Sequence, residues 1–313
     1  MFSRRAALAF TLLAVPIAHA ADPLPTPEQI QAMADAKDWP SLLQATNRTL
    51  TLKGAIAEPY DRVGLWMKKA EAQLHLNQFV PASQSMAKAA AEKAAAPEQI
   101  DNALALSALF RHTDAKGYKS SARLGPIKLY DVKEPAGRRD ALAALFEGGY
   151  ADVAQEIDRI KAAVDAKALV PLAKDIDELR AIDRVVNKSN EKSDTLEKTL
   201  ADNFADQARK WVKPVNERLD ALAKLGDERV EVQSPPDRLG RVTISSHRRG
   251  NTPDEVAELK RFTDQAKKFG AAYVTLEPAL GPVGKAAIKP VKDVVEPAYE
   301  RAKSLTGSAN RTN

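Results

Sequence analysis

The chain has 313 residues, 44% hydrophobic and 28% charged, which is the composition of a folded protein and excludes bulk disorder. It contains 47 Lys and Arg against 42 Asp and Glu, and the formal net charge of +5 is too small for a nucleic-acid-binding surface. The sequence has no cysteine, which excludes disulfides, thiolate metal sites and a cysteine nucleophile.

Residues 1–20 have the three parts of a secretory signal. Arg4 and Arg5 form a basic start, an apolar run follows from Ala6 to Ala18, and Ala18-His19-Ala20 is an A-x-A cleavage triplet. We therefore expect export by the Sec route, cleavage after Ala20 and a periplasmic or secreted location. No stretch of the chain reaches 18 consecutive apolar residues, so the sequence predicts no transmembrane anchor.

Residues 21–165 alternate helical runs with short breaks, and one pair of runs carries a repeat pattern. Trp66 and Phe79 are large residues near the starts of the two runs, and Ala70, Ala82 and Ala89 are small residues where two helices would cross. The full pattern is Trp66, Ala70, Leu76, Asn77, Phe79, Ala82, Met86 and Ala89. This unit resembles a tetratricopeptide (TPR) repeat, and the resemblance implies antiparallel helices in close contact.

Two echoes of the pattern suggest further units. Residues 27–30 recur as 97–100, and Phe79 is matched by Tyr150, at offsets near two units of roughly 34 residues. Because Pro followed by Glu is also a common helix start, an unrelated helical bundle is the alternative interpretation.

Residues 166–226 show apolar residues at spacings of three and four in two arms, joined by a polar stretch at 187–193. This periodicity predicts a long amphipathic helical hairpin, with Leu169 and Leu225 near its ends. Its apolar stripe could pack on the preceding helices or pair between two chains.

The remaining sequence has a different character. Residues 227–280 hold β-branched runs at 230–232, 241–245 and 272–276, with a capped helix before the last run, so we expect a small α/β unit. Residues 281–313 alternate Pro, Gly and Lys with short apolar runs and are expected to form a basic, partly flexible tail. The predicted fold is thus mainly α: TPR-like hairpins, a long helical hairpin and a small C-terminal α/β element.

His247 follows a predicted strand and precedes the capped helix. The run from Thr243 to His247, the helix and the next β-branched run resemble a strand-helix-strand segment of type I dehydroquinate dehydratases. In that family a strand-end His and a Lys on the next strand form a Schiff-base site, but here Thr275 stands in place of the lysine. We therefore interpret the resemblance as shared strand-helix-strand architecture or as coincidence, in either case without that activity.

A basic cluster surrounds His247. Its arginines could bind a carboxylate or phosphate in a bidentate manner, and the cluster comprises Arg238, Arg241, His247, Arg248 and Arg249. The alternative is a solvated turn whose arginines pair with Glu255 and Glu258.

The chain contains no catalytic or cofactor motif. The histidines lack metal-ligand spacing, and the segment 281–285 has neither the glycine spacing nor the hydroxyl residue of a phosphate loop. We therefore predict no catalytic residue, no metal and no cofactor.

Three functions stay open at this point. The leading hypothesis is an exported, non-enzymatic binding or scaffold protein of the cell envelope that presents a helical-repeat groove to a protein or peptide. The candidate groove residues are Tyr60, Trp66, Gln73 and Asn77. The alternatives are an enzyme or anion binder with a site at His247 and Arg248, and a structural protein that self-associates through residues 169–225. The sequence leaves the oligomeric state open.

Overall fold

The computed structural model describes residues 23–113 and 132–309 of the chain. The predicted signal segment and most of the irregular stretch between Lys116 and Pro135 lie outside these residues. The described part contains ten α-helices and one two-stranded sheet, so the prediction of a mainly α fold is confirmed. In chain order the elements are α1 (Pro27–Asp35), α2 (Trp39–Leu50), α3 (Arg62–His75), α4 (Phe79–Ala91), α5 (Pro97–Arg111), α6 (Pro135–Arg159), α7 (Ala166–Val186), α8 (Glu191–Asp227), β1 (Arg229–Gln233), β2 (Ile244–Arg248), α9 (Pro253–Leu276) and α10 (Pro282–Ala309). Within these two ranges, the structure contains no helix with the length and apolar content needed to cross a bilayer.

The turns between α1 and α2 and between α3 and α4 have the same geometry. Lys37 and Asn77 adopt left-handed backbone conformations, with φ of 56° and 60°. One residue later, the Asp38 N–H donates to Met33 O (3.0 Å) and the Gln78 N–H donates to Gln73 O (2.7 Å). This bonding satisfies the last carbonyls of each first helix in the manner of a Schellman turn, 40 residues apart.

The two echoes have different outcomes. The glutamine side chains at the starts of α1 and α5 accept hydrogen bonds from Thr26 N and Ala96 N, both at 2.9 Å, so the first echo reflects helix-start chemistry. The match of Tyr150 to Phe79 does not mark a further repeat unit, because Tyr150 lies inside α6 and no helix begins there. The preceding residue, Gly149, allows α6 to pack closely against Leu179 of α7, since a Cβ at this position would approach Leu179 Cδ2 to 2.8 Å.

Helices α3–α10 share one hydrophobic core. Five phenylalanines are buried in it, and Phe269 of α9 contacts two aromatic rings of α8, with ring centroids at 6.1 Å and 5.3 Å. The apolar stripes of α7 and α8 are buried in this core, at Leu169, Leu172, Ile176, Leu179, Ile182, Leu196, Leu200 and Phe204. The side chains proposed for pairing between chains are thus covered by the same chain.

The C-terminal prediction is partly wrong. Residues 272–276, predicted as a strand, form the last turns of α9, because Ala272 and Leu276 continue the buried stripe that faces α10. The described chain has only two strands, β1 and β2, which pair antiparallel with Val230 opposite His247. The expected α/β unit is a β-hairpin followed by a long helix.

The predicted tail is also a structural element. Helix α10 packs along α8 and α9 through a buried stripe with spacings of three and four: Ile288, Val291, Val295, Ala298 and Ala302. Pro290 and Pro297 lie within it on the exposed side, where water can satisfy the carbonyls that lose their amide partners.

Candidate functional site

The predicted partner-binding residues do not form one surface. The Tyr60 hydroxyl donates to Pro25 O (3.0 Å), and Asn77 Oδ1 accepts from Lys133 Nζ (2.7 Å). Gln73 is buried, and its Oε1 accepts from Ser85 Oγ (2.7 Å), so its assignment to an open groove is wrong. A buried amide with a buried partner joins α3 to α4 instead.

Trp66 is held within the helical layer. Its indole N–H donates to Glu92 Oε1 (2.8 Å), and Lys69 and Lys88 place their Nζ atoms 4.9 Å and 4.8 Å from the ring centroid. Burial, and then the neighbouring Lys88, lower the pKa of Lys69. These contacts assign Trp66 a role in packing α3 against α4.

The arginines around His247 pair with carboxylates. Arg241 lies 3.1 Å from Asp237, Arg248 lies 3.4 Å from Asp227, and Arg249 lies 3.1 Å from Glu255. Glu258 pairs with Arg218 of α8 at 2.9 Å and not with this cluster. His247 itself is exposed on β2. Three of the four arginines thus already have an anionic partner.

The motif at residues 281–285 has a structural explanation. Glu197 of α8 is buried, and its carboxylate accepts hydrogen bonds from the Gly281 and Gly284 N–H groups, the latter at 3.0 Å. A Cβ at Gly284 would approach Glu197 Cγ to 2.7 Å. The start of α10 therefore holds an anion that the protein itself supplies.

Arg180 of α7 completes this buried cluster. Its Nη2 lies 3.0 Å from Glu197 Oε2 at an angle outside hydrogen-bond geometry, so the contact is an ion pair. Asp177 and Asp194 lie 3.2 Å and 3.3 Å from the same guanidinium. The cluster ties α7, α8 and α10 together, with one guanidinium facing three carboxylates.

An apolar depression lies between α9 and α10. We call it the α9–α10 groove; its volume is about 450 Å³ and its lining comprises Ala266, Lys267, Phe269, Gly270, Tyr273, Val274, Glu277, Val291, Lys292, Val295, Glu296 and Tyr299. The residues of each wall recur every three or four positions, so each wall is one face of a helix. This volume is within the range of binding pockets, about 300–1,000 Å³.

Gly270 opens the floor of the α9–α10 groove. It lies inside α9, and apart from its chain neighbours and the backbone of the adjoining helical turns, no atom of the described residues lies within 4 Å of the position that a Cβ would take. Glycine in a helix interior costs about 1 kcal/mol relative to alanine. Because neither a positive φ nor an internal contact requires glycine here, the residue leaves space at the surface.

The rim of the groove is polar and carries both signs of charge. Two lysines and two glutamates stand along it, at Lys267, Lys292, Glu277 and Glu296. The Tyr273 hydroxyl donates to Glu277 Oε1 (3.3 Å), and burial, followed by the effect of Glu277, raises the pKa of this tyrosine. Val274 remains 68% exposed beside them. An apolar floor with a mixed-charge rim suits an amphipathic ligand.

A second depression, of about 730 Å³, lies between the start of α5 and the turn from α7 to α8. Its polar groups bind one another: Arg184 Nη1 donates to Asp101 Oδ1 (2.9 Å) and Arg184 Nε donates to Asn190 Oδ1 (2.8 Å). Its lining contains a single large apolar side chain, Val185. We therefore favour the α9–α10 groove.

The histidines on the helices belong to local networks. His75 stacks on Trp39 with ring centroids 4.1 Å apart and lies 3.2 Å from Glu71, while His112 contacts Glu178 at 2.8 Å. Among residues 23–113 and 132–309, no group of three or more His, Asp or Glu side chains is arranged to hold a metal ion.

Compared with known protein families, with characterised proteins and with solved structures, the chain shows no significant match.

Proposed function

We propose that the protein is an exported, non-enzymatic binding protein whose α9–α10 groove takes up a helical segment of a partner protein. The observation that carries the proposal is the open floor at Gly270. Ala266 and Gly270 lie four residues apart along α9, and small residues at this spacing let a second helix approach closely, while Val274 one turn further offers an exposed apolar side chain. Export is proposed from the sequence of residues 1–20 alone.

The shape of the groove favours a helix over a flat or bulky ligand. Consecutive helices with a short connection pack antiparallel, so α9 and α10 form the two walls of an elongated channel. The wall from Val291 to Tyr299 is about 12 Å long at 1.5 Å per residue, or roughly two helical turns. A helix with an apolar stripe and flanking charges of both signs would cover the floor and meet the rim.

We propose that the helices before residue 114 act as a scaffold. The two hairpins α1–α2 and α3–α4 share their turn geometry at a 40-residue offset, which supports repeating helical hairpins with a unit longer than the roughly 34 residues of a TPR. In this proposal the repeats position the C-terminal helices, and the partner binds at α9 and α10.

Photo-crosslinking tests the proposed function. A benzophenone amino acid at Val274, which is 68% exposed, should yield an adduct in cells that produce the protein. Mass spectrometry of that adduct should identify a peptide with apolar residues every three or four positions. A lipid or small-molecule adduct, or no adduct, would contradict a helical partner.

Two glycine substitutions make the test specific. Gly270→Leu should fill the groove and abolish the adduct without unfolding α9, because the added side chain starts in open space. Gly307→Leu is the matched control, since Gly307 lies in α10 outside the groove and, beyond its own helical turns, no atom of the described residues lies within 4 Å of its Cβ position. An adduct that survives Gly270→Leu would place the binding site elsewhere.

A further inference from the structure

The β-hairpin of residues 229–248 exposes backbone and apolar side chains together. All ten residues of β1 and β2 are exposed. Five of the ten large hydrophobic side chains exposed in the described part of the chain lie here: Val230, Val232, Leu239, Val242 and Ile244. A two-stranded hairpin is marginally stable alone, and its open edges are templates for pairing with another strand.

The hydrogen bonds of the hairpin show which groups of β1 face outward. Glu228 O accepts from Arg249 N (2.7 Å), and Ser234 N donates to Thr243 O (2.9 Å). Backbone groups of successive strand residues point to opposite sides, so even-numbered residues bond to β2. The N–H and C=O groups of Arg229, Glu231 and Gln233 therefore point away from β2.

We propose that the outer edge of β1 pairs antiparallel with the same edge of a second copy of this chain. In this arrangement Arg229 lies opposite Glu231 of the second copy, and Glu231 lies opposite its Arg229. The two copies are related by a two-fold axis at Val230, and the hairpins join into a four-stranded sheet.

Charge selects this register among the alternatives. In an antiparallel pair of these edges, a residue whose backbone groups face outward lies directly opposite another such residue of the second copy. Three central registers are therefore possible: Arg229 opposite Arg229, Arg229 opposite Glu231, or Glu231 opposite Glu231. Like charges directly opposite each other destabilise a sheet, while opposite charges stabilise it. The sequence Arg229-Val230-Glu231 is thus self-complementary in one register only, as a two-fold interface requires.

Side chains on the two faces agree with this pairing. Val230 lies beside its symmetry mate, and Val232 lies two residues along the strand from its own Val230 and diagonally across from the Val230 of the second copy, which gathers four exposed valines on one face of the sheet. The strand has five residues and spans about 17 Å, so the edge buries less than the 1,200–2,000 Å² of a stable interface. The association is therefore reversible and concentration-dependent.

Sedimentation of the full exported chain between about 10 μM and 1 mM tests this pairing. We expect the mean mass of the unsubstituted protein to rise toward a dimer with concentration. Arg229→Glu and Glu231→Arg, each alone, place like charges opposite one another and should keep the protein monomeric. Arg238→Glu is the control, because it makes the same arginine-to-glutamate change at the hairpin tip. It should leave the association unchanged.

Mixing the two single variants gives the most specific result. A chain with glutamate at positions 229 and 231 faces a chain with arginine at both, so the variants should form a heterodimer when mixed although neither self-associates. The double variant Arg229→Glu/Glu231→Arg should regain self-association. The proposal is overturned if the unsubstituted protein is monomeric throughout, or if the single variants associate as it does. Unchanged circular dichroism spectra would show that these exposed substitutions leave the fold intact.

Discussion

Replacing Glu197 by alanine should destabilise the protein more than any surface substitution, because this carboxylate connects three helices. Its side chain is 2% exposed and that of Arg180 is 6% exposed. The substitution removes the ion pair and leaves the Gly281 and Gly284 N–H groups at the start of α10 without their acceptor.

The size of the effect follows from these contacts. Removing one partner of a buried ion pair costs about 3–5 kcal/mol, and each buried amide that loses its acceptor adds to that cost. Asp177 and Asp194 still face Arg180 and limit the loss, so we expect about 4 kcal/mol. At about 2–4 °C per kcal/mol for a large domain, Tm should fall by about 8–16 °C.

Thermal and urea denaturation followed by circular dichroism at 222 nm measure this change. Glu197→Gln keeps an oxygen acceptor but loses the charge, and should fall between the alanine variant and the unsubstituted protein. Glu191→Ala is the control, because Glu191 is exposed in the first turn of the same helix and should change stability by less than about 0.5 kcal/mol. A Glu197→Ala variant with the same Tm as this control would refute the role assigned to the buried cluster.

Three further substitutions probe the remaining regions. Ala82 is fully buried at the α3–α4 contact, so Ala82→Leu should cost about 1–3 kcal/mol in urea denaturation, and an unchanged midpoint would show that the two helices do not pack there. Burial lowers the pKa of His75 despite the opposing effect of Glu71, and Lys133 and Arg138 lower it further. The folded state then binds fewer protons than the unfolded chain, so the stability contributed by His75 is full above about pH 6.5 and falls as the pH drops toward the lowered pKa. In Tm measurements from pH 5 to 8, His75→Phe should remove this part of the pH dependence, and an unchanged profile would contradict the assignment. His247 is exposed, so His247→Ala should change stability by less than about 0.5 kcal/mol and leave cellular function intact; a folded variant without function would establish a site at His247.

The sequence predicted the helical class because most of its apolar residues recur at spacings of three and four. The stripes of α7 and α8 fall at the predicted positions and are buried. The C-terminal stripe from Ile288 to Ala302 carries the same signal, but the alternation of Pro, Gly and Lys in this segment, Pro290 and Pro297 included, predicted a partly flexible tail. Both prolines lie on the solvent side, where the lost hydrogen bonds are least costly.

The α9–α10 groove was missed for a related reason. Val274 and Thr275 are β-branched and follow Gly270, so local propensity predicted a helix end and then a strand. Contacts of Phe269, Ala272 and Leu276 in the core keep this segment helical, which tertiary packing can do against a weak local preference. The role of Gly270 depends on the space around it, and the sequence contains no signal of that space.

The affinity of the crosslinked partner segment, prepared as a synthetic peptide, tests the central claim most directly. Binding measured by isothermal titration calorimetry should be at least about tenfold weaker for Gly270→Leu than for the unsubstituted protein, and unchanged for Gly307→Leu. Equal affinity of the peptide for all three proteins would contradict binding in the α9–α10 groove.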